Sequence, residues 1–272
     1  MESSATKHPN AIEVKELSHY YNSFAAVDDI SFNVPAGSIL GLLGPNGAGK
    51  STTIKMLTTL LPPTLGTAKI MGYDIITQPS DVRRQIGYVP QLLSADGELT
   101  GYENLQFFAN LYGMDRQKRE ERIAEVLEFM GLSEFSHQLV KEYSGGMIRR
   151  LEIAQALLHE PQVLFLDEPT VGLDPAVRKT LWHRILSWRK QFGTTILITT
   201  HDMHEADRLC DIVAFMHLGR IVKMETPSKL KAAIGPQATL DDVFMQYTGA
   251  SIKEGGDFSH VKQTRRNLSH LD

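Results

Sequence analysis

The chain alternates between short apolar runs and longer stretches with helical spacing. Residues 12–34 hold short apolar runs broken by turn residues, which predicts antiparallel strands near the N-terminus. Residues 38–43 form a continuous apolar run, the pattern of a strand that is buried on both faces. Residues 163–166 and 195–198 repeat that pattern. Three buried strands are therefore predicted in addition to the N-terminal ones.

Helical spacing marks the middle and the end of the chain. Residues 103–130 carry apolar positions three and four apart, and Gly131 follows as a typical helix end. Further helices are predicted after the glycine-rich segment 44–49, after Ser144, over about residues 175–190, and after Thr239.

These elements predict a single α/β domain. The polar residues 1–10 and 250–272 are predicted to be loose tails, and residues 11–249 form the domain between them. A helical segment of about residues 92–160 is inserted into its strand-rich core. A hairpin is predicted where residues 212–216 and 220–224 flank Leu218-Gly219.

The amino-acid composition excludes several classes of function. Hydrophobic residues make up 42% of the 272 residues, which is enough to bury a core. The formal net charge of -4 argues against nucleic acid as a partner bound through a basic surface. The one cysteine, Cys210, excludes a disulfide framework and fits a reducing compartment. No apolar run approaches the roughly 20 residues of a membrane-spanning helix, so a membrane role requires a partner.

A phosphate-binding loop is predicted between the strand at 38–43 and the helix that follows. It matches the pattern G-x-x-x-x-G-K-[ST] with Gly44, Pro45, Asn46, Gly47, Ala48, Gly49, Lys50 and Ser51. In this pattern the backbone N–H groups and the helix N-terminus face the phosphates. Lys50 reaches the β- and γ-phosphates, and the Ser51 hydroxyl is a ligand of Mg2+. The alternative is a glycine-rich turn with an incidental lysine.

Two carboxylates end the buried strand at 163–166. Asp167 is suited to hold Mg2+ through a water molecule beside the phosphate loop. Glu168, one residue later, points in a different direction and is suited to act as the general base that polarises the attacking water. The alternative is a strand that enters solvent on acidic residues.

The segment Tyr143-Ser144-Gly145-Gly146-Met147 resembles the L-S-G-G-Q signature of ABC ATPases, in the Y-S-G-G-M form of drug-resistance-type exporters. Other family motifs follow in order: Gln91 resembles the Q-loop glutamine, Asp174 the D-loop aspartate and His201 the switch histidine. The resemblance covers about residues 12–248. It implies a P-loop NTPase core, a mostly parallel sheet flanked by helices. An N-terminal antiparallel β subdomain and an inserted α-helical signature subdomain complete the implied fold.

The resemblance also implies roles for individual residues. ATP is the implied substrate and Mg2+ the implied cofactor. Tyr21, or less favourably Tyr20, stacks on the adenine, and Thr52 completes the phosphate-binding segment. Gln91 binds near the metal with Ser51 and Asp167, and His201 orients the water with Glu168. Ser144, Gly145 and Gly146 meet the nucleotide of a second protomer, and Asp174 is a further nucleotide-binding residue. Met147 lacks the polar group of the usual glutamine and is not expected to be a ligand.

Most of these residues also have a purely structural interpretation. Ser144 suits a helix cap, Gln91 a polar loop position, and Tyr21 plain strand packing. An isolated histidine such as His201 is more often an ordinary surface or core residue.

The motifs leave three functions to distinguish. The favoured one is a transport ATPase, working as a homodimer on a separate transmembrane permease at the cytoplasmic face of the membrane. The Y-S-G-G-M form and the segment 239–244 suggest export, while the cargo stays open. The alternative is a soluble ABC-type ATPase that acts on DNA or the ribosome, but the chain has neither a long coiled-coil insert nor a second such domain. The presence of Lys50, Asp167, Glu168 and His201 argues against a regulator without turnover.

Overall fold

The computed structural model of the protein describes residues 9–249. The predicted tails at residues 1–10 and 250–272 lie outside the described residues, except for residues 9 and 10. The described chain falls into two units: residues 9–85 with 195–249 form the first unit, and residues 86–194 form the second.

The first unit contains the strands β1 (Asn10–Tyr21), β2 (Phe24–Pro35), β3 (Ile39–Leu43), β4 (Leu65–Ile70), β5 (Tyr73–Asp74), β8 (Thr195–Thr200), β9 (Ile212–His217) and β10 (Arg220–Glu225). Its helices are α1 (Lys50–Leu57), α2 (Pro79–Gln85), α7 (Met203–Leu209), α8 (Pro227–Ala232) and α9 (Leu240–Thr248). The second unit contains β6 (Ile86–Val89), β7 (Val163–Asp167), α3 (Gly101–Leu111), α4 (Arg116–Met130), α5 (Gly145–Leu157) and α6 (Pro175–Phe192). It also holds the short 3-10 helices Ser133–Phe135 and Val140–Glu142.

The N-terminal strands form an antiparallel sheet in the order β2-β1-β4-β5. Ile12 of β1 lies opposite Val34 of β2 and Ile70 of β4, and all three side chains are buried. The predicted antiparallel strands over residues 12–34 are therefore confirmed. β4 and β5 were not predicted, because β4 has only two buried positions and β5 only two residues.

The other strands of the first unit lie in the order β10-β9-β3-β8. All five residues of β3 and all six of β8 are buried, as their apolar runs predicted. β3 runs parallel to both β8 and β9, and Leu43 at its end lies opposite Thr200 and Phe215. β9 and β10 form the predicted hairpin around Leu218 and Gly219.

The second unit combines the parallel pair β6–β7 with the predicted helices. The region of helical spacing at 103–130 forms two helices, α3 and α4. The chain turns at Gly113, whose φ is 68°, and Asp115 then caps α4 by accepting a hydrogen bond from the Lys118 N–H at 3.0 Å. α4 ends on Gly131 in the left-handed conformation, as predicted.

The helix predicted after Thr239 is α9. Thr239 and Asp242 form a reciprocal capping box: each side chain accepts a hydrogen bond from the backbone N–H of the other residue. Within residues 9–249, no helix is both long enough and apolar enough to cross a membrane.

Candidate functional site

The phosphate loop joins β3 to α1 in the first unit. Gly49 has a φ of 113°, and a Cβ atom at this residue would lie 2.5 Å from the carbonyl oxygen of Ala26. No other residue type fits that conformation and that approach without strain. The Lys50 side chain is 5% exposed, and its Nζ donates to the carbonyl oxygens of Gly44 at 2.8 Å and Pro45 at 3.2 Å. The loop therefore holds a buried positive charge over its own backbone.

The β9–β10 hairpin supports this loop. The Gly219 N–H donates to the Ala48 carbonyl oxygen at 2.8 Å, and the Gly219 carbonyl accepts from the Asp28 N–H at 2.9 Å. Thr53, one turn into α1, is fully buried and its hydroxyl lies 3.9 Å from the Met216 sulfur of β9. The hairpin was predicted from the sequence, but its contact with the phosphate loop was not.

His201 leaves the sheet beside the phosphate loop. Because Leu43 lies opposite Thr200 in the parallel pair β3–β8, the next residues, Gly44 and His201, emerge at the same edge. The side chain of His201 is exposed. Asp202 then caps α7 by accepting a hydrogen bond from the Glu205 N–H at 3.1 Å, which fixes the backbone directly after the histidine.

Tyr21 lies at the end of β1, opposite Phe24 at the start of β2. Its side chain is 46% exposed, and its ring contacts that of His19 edge-on with centroids 4.6 Å apart. A ring that is nearly half exposed is not a core packing residue. Five residues later on the hairpin, Ala26 contacts the phosphate loop at Gly49.

The two carboxylates lie at the end of β7 in the second unit. The side chains of Asp167 and Glu168 are 2% and 4% exposed, respectively. Burial, together with the negative charge of Asp167, raises the pKa of the Tyr88 hydroxyl to about 12. Glu168 has a φ of 49°, a left-handed conformation that costs a non-glycine residue about 1–3 kcal/mol and is concentrated at functional sites.

Gln91 follows β6, the parallel neighbour of β7. Val89 lies opposite Leu166, so Pro90 and Gln91 leave the sheet at the same edge as Asp167 and Glu168. The Gln91 side chain is exposed, and its backbone carbonyl accepts a hydrogen bond from Arg149 Nη2 at 2.6 Å. The structure therefore places Gln91 beside the acidic pair.

The signature segment begins α5. Ser144 is exposed and caps the helix, its hydroxyl accepting from the Met147 N–H at 3.3 Å. A Cβ atom on Gly145 would meet nothing within 4 Å, whereas one on Gly146 would lie 2.7 Å from Val177 Cγ1 of α6. Gly145 thus leaves the helix N-terminus open to a phosphate, while Gly146 is required by packing as well.

Asp174 caps α6. Its Oδ1 accepts hydrogen bonds from the N–H groups of Ala176 and Val177, both at 3.0 Å, and Pro175 occupies the first turn. The Asp174 side chain is exposed. Since Val177 packs against Gly146, the starts of α5 and α6 lie side by side.

Sequence reasoning missed three side chains that hold these segments in place. The Tyr143 hydroxyl donates to the Phe135 carbonyl at 2.7 Å, and the Tyr143 side chain is 6% exposed. Arg149 and Glu152 of α5 are 3% and 2% exposed and hold the backbone on either side of Gln91. For Arg149 and Glu152, the available signal was three charged residues, Arg149, Arg150 and Glu152, on a helix whose other positions are mostly apolar.

The site residues of the first unit and those of the second unit are typical of nucleotide-hydrolysing proteins. The first unit has the strand, glycine loop, lysine and helix of a phosphate-binding P-loop. The second unit has a buried acidic pair at the end of a parallel strand and an open helix N-terminus at Ser144.

Comparison with known proteins identifies the family. A profile described as ABC transporter matches residues 27–171. The daunorubicin/doxorubicin resistance ATP-binding protein DrrA of Streptomyces peucetius is 46% identical over 85% of this chain and 69% of its own length. The probable multidrug ABC transporter ATP-binding protein YbhF of Escherichia coli K12 is 41% identical over 86% of this chain, which spans only 41% of that relative. A solved structure of an ATP binding subunit of an ABC transporter superposes with a TM-score of 0.79 at 33% identity, over 88% of this chain and 99% of that one.

The chain belongs to the ABC transporter family. It is an ATP-binding and ATP-hydrolysing subunit of such a transporter, with the P-loop α/β fold that the sequence predicted.

Lys50 allows a direct test of the phosphate loop. Replacing it with alanine removes the buried ammonium, and we expect ATP affinity to fall by about tenfold or more, because a hydrogen bond to a charged group contributes roughly 1.5–3 kcal/mol. The measurement is a nucleotide titration by calorimetry. Lys55→Ala is the matched control, since Lys55 lies on the exposed face of the same helix. Unchanged affinity in a folded Lys50→Ala protein would show that the phosphates bind elsewhere.

Proposed function

We propose that this chain drives export through a separate transmembrane permease and works as a pair of identical protomers. The observation that carries the proposal is that one chain holds both a phosphate loop with a buried lysine and a signature helix whose Ser144 and Gly145 are exposed. The resistance and multidrug names of the two relatives support the export direction.

The proposed ATPase domain comprises residues 11–249, with the helical subdomain of about residues 92–160 inserted in it. The helices α3, α4 and α5 fall within that insert. Residues 1–10 and 250–272 are proposed as tails. The protein is placed at the cytoplasmic face of the membrane, where its permease holds it.

The phosphate groups of ATP bind at the loop of residues 44–52. Lys50 supplies the positive charge, and the backbone N–H groups at the start of α1 supply hydrogen bonds. The adenine stacks on the exposed ring of Tyr21, at the hairpin whose β2 strand contacts Gly49.

The proposed magnesium site uses Ser51, Gln91 and Asp167. A hydroxyl, an amide oxygen and a carboxylate are hard oxygen donors, which suit Mg2+ and disfavour softer metals. Asp167 is 2% exposed and lies at the end of β7. When bound, Mg2+ neutralises charge on the β- and γ-phosphates.

Glu168 is the proposed general base. Its backbone is left-handed, unlike the extended backbone of Asp167 in β7, and we assign the two neighbouring acidic residues different tasks. The carboxylate accepts the proton of the attacking water, and His201 orients that water beside the γ-phosphate. His201 emerges next to the phosphate loop because β3 and β8 are paired in register.

A second protomer completes each site. Ser144 and Gly145 present an exposed helix N-terminus with no obstruction, which suits the γ-phosphate of a nucleotide held by the partner chain. Asp174 lies on the same surface because α5 and α6 begin side by side, where Val177 contacts Gly146. Each protomer therefore contributes its phosphate loop to one site and its signature helix to the other.

An exposed apolar surface next to Gln91 is the proposed docking site for the permease. Leu92 and Leu93 directly follow Gln91 and are 81% and 50% exposed. Asn104 of α3 ties this loop to the helix through two hydrogen bonds with the Asp96 backbone, at 2.9 and 3.0 Å. α3 exposes Phe107 and Leu111. Exposed apolar side chains of this kind mark protein interfaces. The proposed partner of this surface is the apolar end of a helix of the membrane subunit.

Glu168→Gln tests the chemistry. The amide keeps the size of the side chain but cannot accept a proton, so we expect ATP turnover to fall by about a hundredfold or more while ATP affinity is retained. Steady-state phosphate release and an ATP titration measure the two quantities. Glu134→Gln, which removes an exposed carboxylate of the second unit, serves as the control. A Glu168→Gln protein with normal turnover would exclude Glu168 as the base.

Leu92→Asp tests the docking site. A charge in the apolar surface should prevent the protein from co-purifying with membranes that contain its permease, because the charge would have to be desolvated. The melting temperature should not change, since the Leu92 side chain is 81% exposed. Leu60→Asp alters another exposed leucine, 61% exposed in the first unit, and should leave membrane recovery normal. Equal recovery of the Leu92→Asp and wild-type proteins would contradict the proposed interface.

A further inference from the structure

Two buried charged side chains of the signature helix hold the backbone around Gln91. Arg149 Nη1 donates to the Pro90 carbonyl oxygen, and Nη2 donates to that of Gln91, both at 2.6 Å. Glu152 Oε1 accepts from the Ser94 N–H at 2.5 Å and from the Ser94 hydroxyl at 3.2 Å. The loop is therefore held before and after its two exposed leucines by one face of one helix.

Arg149 and Glu152 also hold each other. Arg149 Nη1 lies 3.0 Å from Glu152 Oε2, and their side chains are only 4% and 2% exposed. The planar guanidinium meets two carbonyl oxygens and one carboxylate at once, a fork of donors that lysine lacks. Both charges are shielded from water, so replacing either residue would leave the other as a buried charge without its ionic partner.

Burial shifts the pKa of both Arg149 and Glu152 toward the neutral form, and neighbouring groups oppose each shift. Burial lowers the pKa of Arg149, while the negative charges of Glu152 and Asp167 oppose that shift. Burial raises the pKa of Glu152, against the hydrogen bonds from Ser94 and the charge of Arg149. Arg149 is thus stabilised in part by Asp167, the proposed magnesium ligand at the end of β7.

We propose that Arg149 and Glu152 are positioning residues that fasten the Gln91 segment to the signature helix, so that Gln91 and Ser144 are displaced together. Ser144 lies at the N-terminus of the same helix, five residues before Arg149. Through this link, the nucleotide that Gln91 meets in one site alters the presentation of Ser144 to the other site. The inference rests on the proposed roles of Gln91 and Ser144.

A merely structural ion pair makes a different prediction from a positioning pair. Replacing a buried pair by apolar residues of similar size often restores or raises stability. The double variant Arg149→Met/Glu152→Met should therefore regain the melting temperature that Arg149→Met loses. It cannot regain the two hydrogen bonds to the Pro90 and Gln91 carbonyls, so turnover should stay low.

The experiment measures kcat, the KM for ATP and the melting temperature of the full chain. For Arg149→Met and for the double variant we expect kcat to fall about tenfold or more, since small misplacements of catalytic groups carry large rate penalties. The KM should stay within about twofold, because the phosphate loop is intact. Arg150→Met is the control. Arg150 is on the same helix, but it donates to the Met130 and Gly131 carbonyls at 2.9 and 3.2 Å, so kcat should stay close to the wild-type value.

Arg149→Lys is a conservative variant. It keeps the positive charge but loses the planar set of donors that reaches both carbonyl oxygens, so we expect its kcat to lie between those of Arg149→Met and the wild-type protein. Wild-type kcat in the double variant, or equal kcat for Arg149→Met and Arg150→Met, would overturn the positioning role.

Gln91→Ala distinguishes a failure of the positioning role of Arg149 from a failure of the proposed role of Gln91. If its kcat falls while Arg149→Met turns over normally, the positioning inference fails and the proposed role of Gln91 stands. If Gln91→Ala itself has wild-type kcat, the role of Gln91 fails and the inference fails with it.

Discussion

The arrangement of the site depends on the parallel pairing of strands in register. Because Leu43 lies opposite Thr200, the phosphate loop and His201 emerge at one edge of the first unit. Because Val89 lies opposite Leu166, the Gln91 segment and the acidic pair emerge at one edge of the second. A shift of one residue in either pair would reverse every side chain and separate these groups. The fully buried strands make such a shift costly, so hydrophobic packing fixes the chemical geometry.

Buried charge is the second organising feature. Lys50 lies over the Gly44 and Pro45 carbonyls, and Arg149 lies between Glu152 and the Gln91 carbonyl. In both cases a cation is held by backbone carbonyl oxygens, whose positions the strands before them set. A buried charge tolerates little displacement, because each lost partner leaves an unsatisfied group out of water. These contacts restrain the backbone of both loops.

The sequence predicted the parts of the molecule whose signals are local. Apolar runs located β3, β7 and β8, a glycine-rich pattern located the phosphate loop, and cap residues located the starts of α5 and α9. Signals that depend on distant partners were missed. Arg149 meets Pro90 across 59 residues, and the Tyr143 hydroxyl needs the carbonyl of Phe135. Likewise, the turn at Gly113 interrupts an apolar spacing that continues on both sides of it. The roles of Ser144 and Asp174 came from the family resemblance, because no pattern within one chain indicates contact with a second protomer.

In the proposed dimer, each ATP is held between two chains, with Ser144 of one chain at the phosphates bound by the other. This shared site is tested by light scattering of two hydrolysis-blocked proteins, Glu168→Gln and Glu168→Gln/Ser144→Arg, each with and without Mg2+ and ATP. We expect ATP to shift Glu168→Gln to twice its mass. The Glu168→Gln/Ser144→Arg protein should stay at the mass of one chain and still bind one ATP with unchanged affinity. Glu168→Gln/Ser133→Arg, which alters an exposed serine elsewhere in the second unit, should dimerise normally. An ATP-saturated Glu168→Gln protein that remains monomeric, or a dimer that Ser144→Arg leaves intact, would contradict the shared site.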